Sequence, residues 1–369
     1  MNLGDIITVA DSEKCGNREF PVLSMTMHDG LVLQTDRFKK AIASKDLSGY
    51  KVVRRNQLVV SFPIDEGVLY IQDVVDAGIV SPAYAVWDVR TDMICPKFLG
   101  MFLRCPKSIQ YYKAKLRGST ARRRTIPRDD FLAMSIPAFS ISDQDRICAI
   151  LEKIWSVIAA STKQIDILEE LVKSRFVEMF GGCLANTPLI EFGKVFTGST
   201  PSMKEEAYYH QADFCFVKPS DLSYDVRKFS DSECHLSYKA ETVARMFNPG
   251  AVLVTCIGAT IGKMGIAQVR GSCNQQINFI EPFDNVDSSY LAYAIQSRHN
   301  ELVSIANSTA VPIINKSEFC KFKIPLPPLA LQREFAAFVA KVDKLAFAAR
   351  RRRDLAQQMY RVKIQEFFG

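Results

Sequence analysis

The residues best suited to binding chemistry form a basic stretch in the first half of the chain. Between Arg104 and Arg128 the sequence has nine lysine or arginine residues and no aspartate or glutamate. A basic stretch without acidic residues is typical of a surface that binds phosphate groups. The side chains that we expect to bind phosphate here are those of Arg117, Arg122, Arg123, Arg124 and Arg128. A solvated basic face is the alternative interpretation, and the sequence leaves it open.

The chain offers no arrangement typical of a catalytic centre. The segment GATIGKMG (258–265) resembles a phosphate-binding loop, but it has three residues instead of four between Gly258 and Gly262. Met264 also stands where such a loop requires serine or threonine for magnesium. The four histidines have no partners at a spacing typical of a metal site or a nucleophile–base pair, and the ten cysteines include no C-x-x-C pair. We therefore expect a binding or scaffolding protein without a metal, rather than an enzyme.

Composition and charge describe an ordinary globular protein. Of the 369 residues, 48% are hydrophobic and 24% are charged, and the formal net charge of +7 is too small to indicate nucleic-acid binding by itself. No apolar run reaches the roughly 18 residues of a membrane span. The N-terminal MNLGDIITV lacks the basic region and cleavage site of an export signal. We therefore expect a cytoplasmic protein with no membrane partner.

Two copies of one domain, each followed by a long helix, are expected to position these residues. Residues 124–181 align with residues 312–369 at a constant offset of 188, without a gap. Gln144 and Gln332 are among the identical pairs. A repeat this long is a whole domain with its helix, because solenoid repeats have only about 20–50 residues. The predicted fold class is α+β, with two tandem α/β domains.

The predicted domain boundaries follow from this repeat. They are residues 1–137 for the first domain, 138–183 for its helix, 184–326 for the second domain and 327–369 for its helix. Ser142 is the predicted N-cap of the first long helix. Within the first domain, PKFLGMFLRCPKSIQYYKAKL (96–116) has the pattern of a helix.

Apolar residues in both long helices recur at the four-and-three spacing of a coiled coil. The seam of the first helix includes Arg175 and ends at Met179, and the seam of the second is interrupted by Lys363 and ends at Phe367. Because globular domains cannot bury these seams over their whole length, we expect the helices to pair as an antiparallel coiled coil with pseudo-two-fold symmetry. The residues chosen for coiled-coil or partner contacts are Leu151, Ile154, Ile158, Ile165, Leu168, Val172, Val339, Val342, Ala346 and Tyr360.

Two motifs carry a resemblance to a known family. KIPLPPLALQREFAAFVAKVDKL (323–345), with its Pro-Leu-Pro-Pro-Leu-x-x-Gln core, resembles the region after a target-recognition domain in specificity subunits of type I restriction-modification systems. FGKVFTGSTPS (192–202) resembles the opening of such a domain. The order of domain, helix, domain and helix extends the resemblance to the whole chain. The first half departs from the pattern, since Ala138-Phe139-Ser140 replaces Leu-Pro-Pro.

The resemblance implies a non-catalytic subunit that binds double-stranded DNA with a bipartite site. Each domain would read half of the site, and the helices would set the spacing and dock two methyltransferase subunits, with restriction subunits as further partners. The subunit itself would need no cofactor, because S-adenosylmethionine and ATP are expected on the partner subunits. The complex would methylate adenine in host defence. A structural adaptor with tandem protein-binding domains on a helical spacer is the alternative.

Polar side chains of the second domain are the remaining candidate DNA contacts. Three neighbouring amides can hydrogen-bond the edges of adenine bases, or bond locally as polar strand residues. Two lysines are candidate phosphate contacts, with ordinary surface lysines as the alternative. Three hydroxyl groups can donate to phosphate, or form a turn before Pro201. In that order, these residues are Asn274, Gln275 and Gln276; Lys218 and Lys263; and Thr197, Ser199 and Thr200.

Overall fold

The chain forms two compact units, each of which combines a domain with parts of two long helices. Unit 1 consists of Met1–Ser161 and Arg351–Gly369, and unit 2 of Thr162–Arg350. The predicted fold class, with tandem α/β domains each followed by a long helix, is confirmed. The structure is a computed structural model, and the residues it describes are 1–11, 13–27, 30–37, 46–116, 126–306 and 311–369.

Short antiparallel strands form the sheets of unit 1. Its strands are β1 (Ile7–Val9), β2 (Leu23–Met25), β3 (Leu31–Leu33), β4 (Lys51–Arg54), β5 (Leu58–Val60), β6 (Leu69–Ile71), β7 (Ala77–Val80) and β8 (Ala85–Val89). One sheet has the order β1-β8-β5-β6, while β2 pairs with β3 and β4 with β7. Leu58, Leu69 and Trp87 turn their side chains into the core that the helices of the unit cover.

The helices of unit 1 pack on this sheet. They are α1 (Gln34–Arg37), α2 (Pro96–Leu103), α3 (Pro106–Lys115), α4 (Arg128–Leu132) and the first part of α5 (Ile141–Phe180). The helix predicted over residues 96–116 is two helices, α2 and α3. Pro106 causes the break, because proline has no N–H for a helical hydrogen bond and its ring clashes with the preceding turn. It begins α3 after Cys105, which takes an extended N-cap conformation.

Unit 2 has more strands and two larger sheets. Its strands are β9 (Thr187–Pro188), β10 (Gly193–Thr197), β11 (Phe214–Val217), β12 (Lys228–Phe229), β13 (Cys234–Leu236), β14 (Met246–Phe247), β15 (Val252–Thr255), β16 (Met264–Ala267), β17 (Gly271–Cys273), β18 (Ile277–Pro282) and β19 (Lys323–Ile324). The sheet orders are β10-β18-β15-β16-β12, β13-β11-β17-β14 and β19-β9. The pairs β11–β17 and β12–β16 are parallel, and the other pairs are antiparallel.

The helices of unit 2 enclose an aromatic core. They are α6 (Ser288–Ser297), α7 (His299–Ser304), α8 (Lys316–Lys321), the end of α5 and the beginning of α9 (Leu329–Phe368). The ring of Phe180 lies 5.1 Å from that of Phe176, 4.9 Å from Tyr290 and 5.7 Å from Phe335, between ring centroids. The end of α5 and the beginning of α9 are therefore part of the core of unit 2. No helix among the described residues has the length and apolar character needed to cross a membrane.

The two long helices pair with each other, as predicted. In unit 1, Ile154 and Ile158 of α5 pack with Ala356 of α9. In unit 2, Val172 near the end of α5 shares a core with Val339 near the start of α9. The start of one helix thus meets the end of the other, so the pairing is antiparallel.

The predicted end of the seam in α5 is wrong by one residue. Phe176 and Phe180 are buried, instead of Arg175 and Met179. At its C-terminal end the helix packs on the core of unit 2. Steps of four residues exceed the 3.6-residue turn, so they rotate the buried face of the helix by about 40° per step.

The same shift occurs at the end of α9. Ile364 and Phe368 are buried there, instead of the predicted Lys363 and Phe367. Both buried residues belong to the core of unit 1, where the ring of Phe368 lies 5.4 Å from that of Phe98. The repeat therefore extends to the point at which each helix leaves its partner helix and joins a domain.

Gln144 ties the beginning of α5 to the domain of unit 1. Its side chain is completely buried. Its Oε1 accepts a hydrogen bond of 2.8 Å from the backbone N–H of Cys95, and its Nε2 donates one of 3.0 Å to the carbonyl of Phe139. Ser140, and not the predicted Ser142, caps α5, since its Oγ accepts the N–H of Asp143 at 3.1 Å.

Gln332 forms the equivalent connection in unit 2. It is also completely buried. Its Oε1 accepts the N–H of Asp287 at 2.9 Å, and its Nε2 donates to the carbonyl of Pro327 at 2.8 Å. Asp287 is the N-cap of α6, just as Cys95 is the N-cap of α2. The identity of Gln144 and Gln332 in the repeat therefore has a structural cause, because both side chains satisfy buried backbone groups.

Candidate nucleic-acid interface

Several predicted contacts of the second domain come together at one edge of unit 2. The hydroxyl of Thr200, in the loop after β10, donates a hydrogen bond of 2.6 Å to Oε1 of Gln275, in the turn between β17 and β18. Ser199 Oγ accepts the backbone N–H of Arg245 at 2.8 Å. The hydroxyl of Thr197 donates to Oδ1 of the buried Asn278 at 2.7 Å, so Thr197 is turned inward.

Gly198 allows the two loops to approach so closely. A Cβ at this position would lie 2.3 Å from the carbonyl oxygen of Asn274 and 2.4 Å from that of Cys273. The backbone N–H groups of Gly198 and Ser199 donate across the same gap, to Ile277 and Cys273, both at 2.9 Å. A side chain at position 198 would separate the loops and with them Thr200 and Gln275.

The three neighbouring amides play different parts. Asn274 Nδ2 donates to Gln276 Oε1 at 3.0 Å, and the N–H of Gln276 donates back to Asn274 Oδ1 at 3.1 Å. These two side chains thus make the local bonds that the sequence left as the alternative. Gln275 is exposed and turns its carbonyl oxygen toward Thr200.

Two cations that the sequence analysis did not select lie beside these loops. The guanidinium carbon of Arg245 lies 5.7 Å from the ring centroid of Phe196, and the ammonium nitrogen of Lys316 lies 5.8 Å from it. Both distances fit cation–π contacts, and both residues are exposed. The Phe196 ring is supported by Phe279, 5.2 Å away. The candidate interface thus includes an aromatic ring and two exposed cations beside the polar loops.

The repeat provides a signal that could have found Lys316. At the offset of 188 (316 − 128), Lys316 corresponds to Arg128, which the sequence analysis did select. Arg128 is the first residue of α4 and Lys316 the first of α8. The guanidinium carbon of Arg128 lies 5.5 Å from the ring centroid of Trp87 in unit 1. Each unit therefore sets a cation on an aromatic ring of its sheet.

The other arginines predicted to bind phosphate cannot be placed in this way. Arg117, Arg122, Arg123 and Arg124 lie outside the described residues. Arg128 is therefore the member of the predicted set whose position is known, and its role as a DNA contact stays a prediction.

Lys218 adjoins the polar loops through the backbone. It directly follows Val217, whose carbonyl accepts the N–H of Asn274 at 3.1 Å. Its ammonium group donates to the Cys234 sulfur at 2.9 Å, and this hydrogen bond raises the pKa of Lys218. The lysine is thus a positive charge beside the interface, held by a thiol.

Lys263 contacts a different aromatic ring, that of Tyr224. Its ammonium nitrogen is 5.9 Å from the ring centroid of Tyr224. It belongs to the segment 258–265, which joins β15 to the antiparallel strand β16. A phosphate-binding loop leads from a strand into a helix, whose N-terminal N–H groups bind the phosphates. The geometry of this segment is that of a hairpin.

The seam residues lie inside the helix pair. Tyr360 is half-buried beside Trp155, and the other nine residues chosen for coiled-coil or partner contacts are buried. The exposed apolar residues of the helices are different ones, which the sequence analysis did not select. Ile167 and Leu171 on α5 are 57% and 46% exposed, and Leu355 and Met359 on α9 are 58% and 51% exposed. The two pairs correspond at the offset of 188, so each helix carries the same four-residue-spaced apolar surface.

Comparison with known proteins finds a family match in the second half of the chain. Residues 186–355 match the family described as "Type I restriction modification DNA specificity domain". The matched residues include the polar loops, Phe196 and both cations beside it, and the first part of α9.

Curated relatives agree with this match. The chain is 21% identical over 219 residues to the EcoR124I/EcoR124II specificity subunit of Escherichia coli, which covers 57% of this chain and 54% of the relative. It is 29% identical over 174 residues to the MjaIX specificity subunit of Methanocaldococcus jannaschii, which covers 46% of this chain and 40% of the relative. The chain thus spans about half the length of these curated relatives.

Solved structures extend the similarity of fold to the whole chain. The S subunit of a type I restriction-modification system from M. genitalium aligns over 100% of this chain and 95% of its own, with a TM-score of 0.65 at 11% identity. A chain from a structure of the type I restriction-modification system aligns over 100% of this chain and 96% of its own, with a TM-score of 0.56 at 16% identity. The first domain therefore shares the fold, although the specificity domain match begins only at residue 186.

Proposed function

We propose that this chain reads DNA sequence as the specificity subunit of a type I restriction-modification complex and catalyses no reaction itself. The match of residues 186–355 to a DNA specificity domain is the observation that carries the proposal. The second observation is the tandem fold, in which Gln144 and Gln332 make the same buried hydrogen bonds in the two units. Two domains of one plan but different surfaces suit a bipartite site whose halves differ.

The contacts proposed for the second domain divide into two kinds. Lys316 and Arg245 are exposed cations that can bind phosphate oxygens, which fixes the position of the protein on the duplex. Thr200 and Gln275 lie beside them and carry the donors and acceptors that a base edge requires. In the first domain, Arg128 would be the positioning contact, and the arginines at 117 and 122–124 would add to it.

The repeated apolar surface supports two methyltransferase subunits as partners. Ile167 and Leu171 on one helix, and Leu355 and Met359 on the other, are two similar exposed apolar pairs at corresponding positions of the repeat. Two copies of one partner fit two similar surfaces better than a single partner does. S-adenosylmethionine and ATP would bind to partner subunits, adenine would be the methylated base, and restriction subunits would complete the cytoplasmic complex.

Selection of DNA by the assembled complex tests the proposal. The full chain and its cognate methyltransferase subunit would be purified together and mixed with duplexes that contain a random region. We expect the bound DNA to be enriched in a motif with two defined halves and an undefined gap. Assembly of the complex without enrichment of any motif would contradict the proposal and would favour the structural adaptor.

A variant separates base-specific contacts from general affinity for DNA. The same selection would be repeated with the Gln275→Ala chain. Loss of preference at positions of one half only, with the other half unchanged, is the expected result. An unchanged motif would remove Gln275 from the proposed base contacts without affecting the assignment of the subunit.

A further inference from the structure

Three potential metal ligands meet on one face of a small sheet in unit 2. Strands β11 and β13 are antiparallel, and their register sets Cys215 directly opposite His235. Directly opposite residues of an antiparallel pair turn their side chains to the same face. Asp231 lies four residues before His235, and its Oδ1 is 2.8 Å from His235 Nε2. The candidate ligand atoms of all three residues lie within 4.8 Å of one another.

The three side chains differ in exposure in a way that suits an ion at the surface. Cys215 is only 6% exposed, and its thiol has a long contact of 3.8 Å with the carbonyl of Ser230. The side chains of His235 and Asp231 are 30% and 80% exposed. A buried, weakly bonded thiol thus faces a polar pair that is open to solvent.

We propose that Cys215, Asp231 and His235 form a zinc site with three protein ligands and one water. Sulfur, imidazole nitrogen and carboxylate oxygen are the donors that Zn²⁺ takes, at about 2.3, 2.0 and 2.1 Å. Ligand atoms of a tetrahedral site with these bonds lie about 3.3–3.6 Å apart. To reach that spacing, the exposed Asp231 carboxylate has to move about half an ångström away from His235, and any separation near the 4.8 Å limit of the group has to close by roughly 1 Å.

Hydrogen bonds of Ser232 restrain the segment that carries Asp231 and His235. Asp231 Oδ1 accepts the N–H of Ser232 at 2.9 Å, which orients the carboxylate. Ser232 Oγ accepts the N–H of Phe216 at 3.0 Å and donates to the carbonyl of Cys234 at 2.6 Å. The bond to Asp231 is a contact to a ligand residue, and such contacts are typical of metal sites in proteins, where they fix ligand orientation.

The bound ion would fasten the segment 231–235 to β11. That strand ends at Val217, whose carbonyl holds the turn at Asn274. Zinc would therefore stiffen the strand that supports the polar loops. The site would exist whether or not the chain reads DNA, so its test is independent of the proposed function.

Titration of the full chain after removal of metals tests the site. Zn²⁺ would be added in competition with a chromogenic chelator, and Co²⁺ would be added in a parallel experiment. We expect one equivalent to bind, a thiolate-to-cobalt absorption band, and a rise in Tm with zinc, because an ion that binds only the folded state stabilises it. His235→Ala and Cys215→Ser should each weaken binding by at least about 100-fold, since even outer contacts are worth about 10–100-fold.

Cys234→Ser provides the matched control. Cys234 is the neighbour of His235 in β13, and its side chain points to the other face of the sheet. This variant should bind zinc as the unchanged chain does and keep the cobalt band. Absence of micromolar zinc binding in the unchanged chain would overturn the site. Equal binding by Cys215→Ser, or equal loss in Cys234→Ser, would overturn it as well, and the melting curves of the metal-free variants identify any that do not fold.

Discussion

The two units agree in the buried contacts that join the start of each long helix to a domain, which we call the frame. They differ at the edge that is proposed to bind DNA. In the frame, Gln144 and Gln332 make the same buried hydrogen bonds to the cap of the helix beside them. At the edge, unit 1 sets one described cation, Arg128, on Trp87. Unit 2 sets two cations on a phenylalanine. Buried positions are therefore preserved by packing, while exposed positions are free to diverge and to give each domain its own contacts.

The largest effect should come from the phenylalanines that anchor the ends of the two long helices. Phe180→Ala and Phe368→Ala each remove a buried ring from an aromatic core. We expect each to lower the free energy of unfolding of its own unit by about 3–5 kcal/mol. Native-state hydrogen exchange, read separately for peptides of unit 1 and unit 2, measures this. Phe347→Ala, at a 65% exposed position of α9, is the control and should have little effect.

Two outcomes would contradict the equivalence of the two helix ends. One is a loss of stability in unit 1 from Phe180→Ala or in unit 2 from Phe368→Ala, and the other is a large loss of stability from only one of the two substitutions.

The buried glutamines should give the next largest effect. Gln144→Ala leaves the N–H of Cys95 without its partner, and Gln332→Ala does the same to Asp287. A buried group without a hydrogen bond costs about 1–3 kcal/mol, so exchange of these two amide protons should accelerate accordingly. The exposed Gln357→Ala is the matched control. Unchanged protection of both amides would show that the glutamines do not hold the helices.

A smaller effect should distinguish the two helix starts. Ser140 caps α5, whereas the corresponding position before α9 is Pro328. Ser140→Ala should therefore destabilise unit 1 by about 1 kcal/mol. A urea titration measures this loss of stability. In the same titration, Ser140→Asp, which restores a capping oxygen, should recover most of the loss. Equal stability of the alanine variant and the unchanged chain would contradict the assigned cap.

The smallest effect should appear in DNA binding. Arg128→Ala and Lys316→Ala each remove one proposed phosphate contact, so each should weaken binding severalfold for all sequences and reduce the slope of log K against log salt by about 1. Binding of the assembled complex at several salt concentrations measures this. Lys321→Ala, on the same helix as Lys316 but paired with Glu318 at 3.0 Å, is the control. The same slope for Lys316→Ala and the unchanged complex would remove Lys316 from the interface.

The sequence predicted the repeat and the helix pairing because both leave a regular pattern of apolar residues. It misplaced the seam ends because Phe176 and Ile364 pack on domain cores, and a heptad pattern contains no information about such contacts. It missed Arg245 because this residue is brought to Phe196 by folding across 49 positions (245 − 196). Lys316 could have been selected from the sequence, because it aligns with Arg128 in the repeat and equivalent positions of a repeat can have the same role.

The most direct test of the central claim is a genome-wide map of adenine methylation in cells that produce the chain with its cognate methyltransferase subunit. Cells that produce the methyltransferase alone are the reference. We expect a split motif with two defined halves that appears only with this chain. The absence of any new methylated motif, from a methyltransferase that is active with another specificity subunit, would contradict the claim that this chain determines where the complex acts.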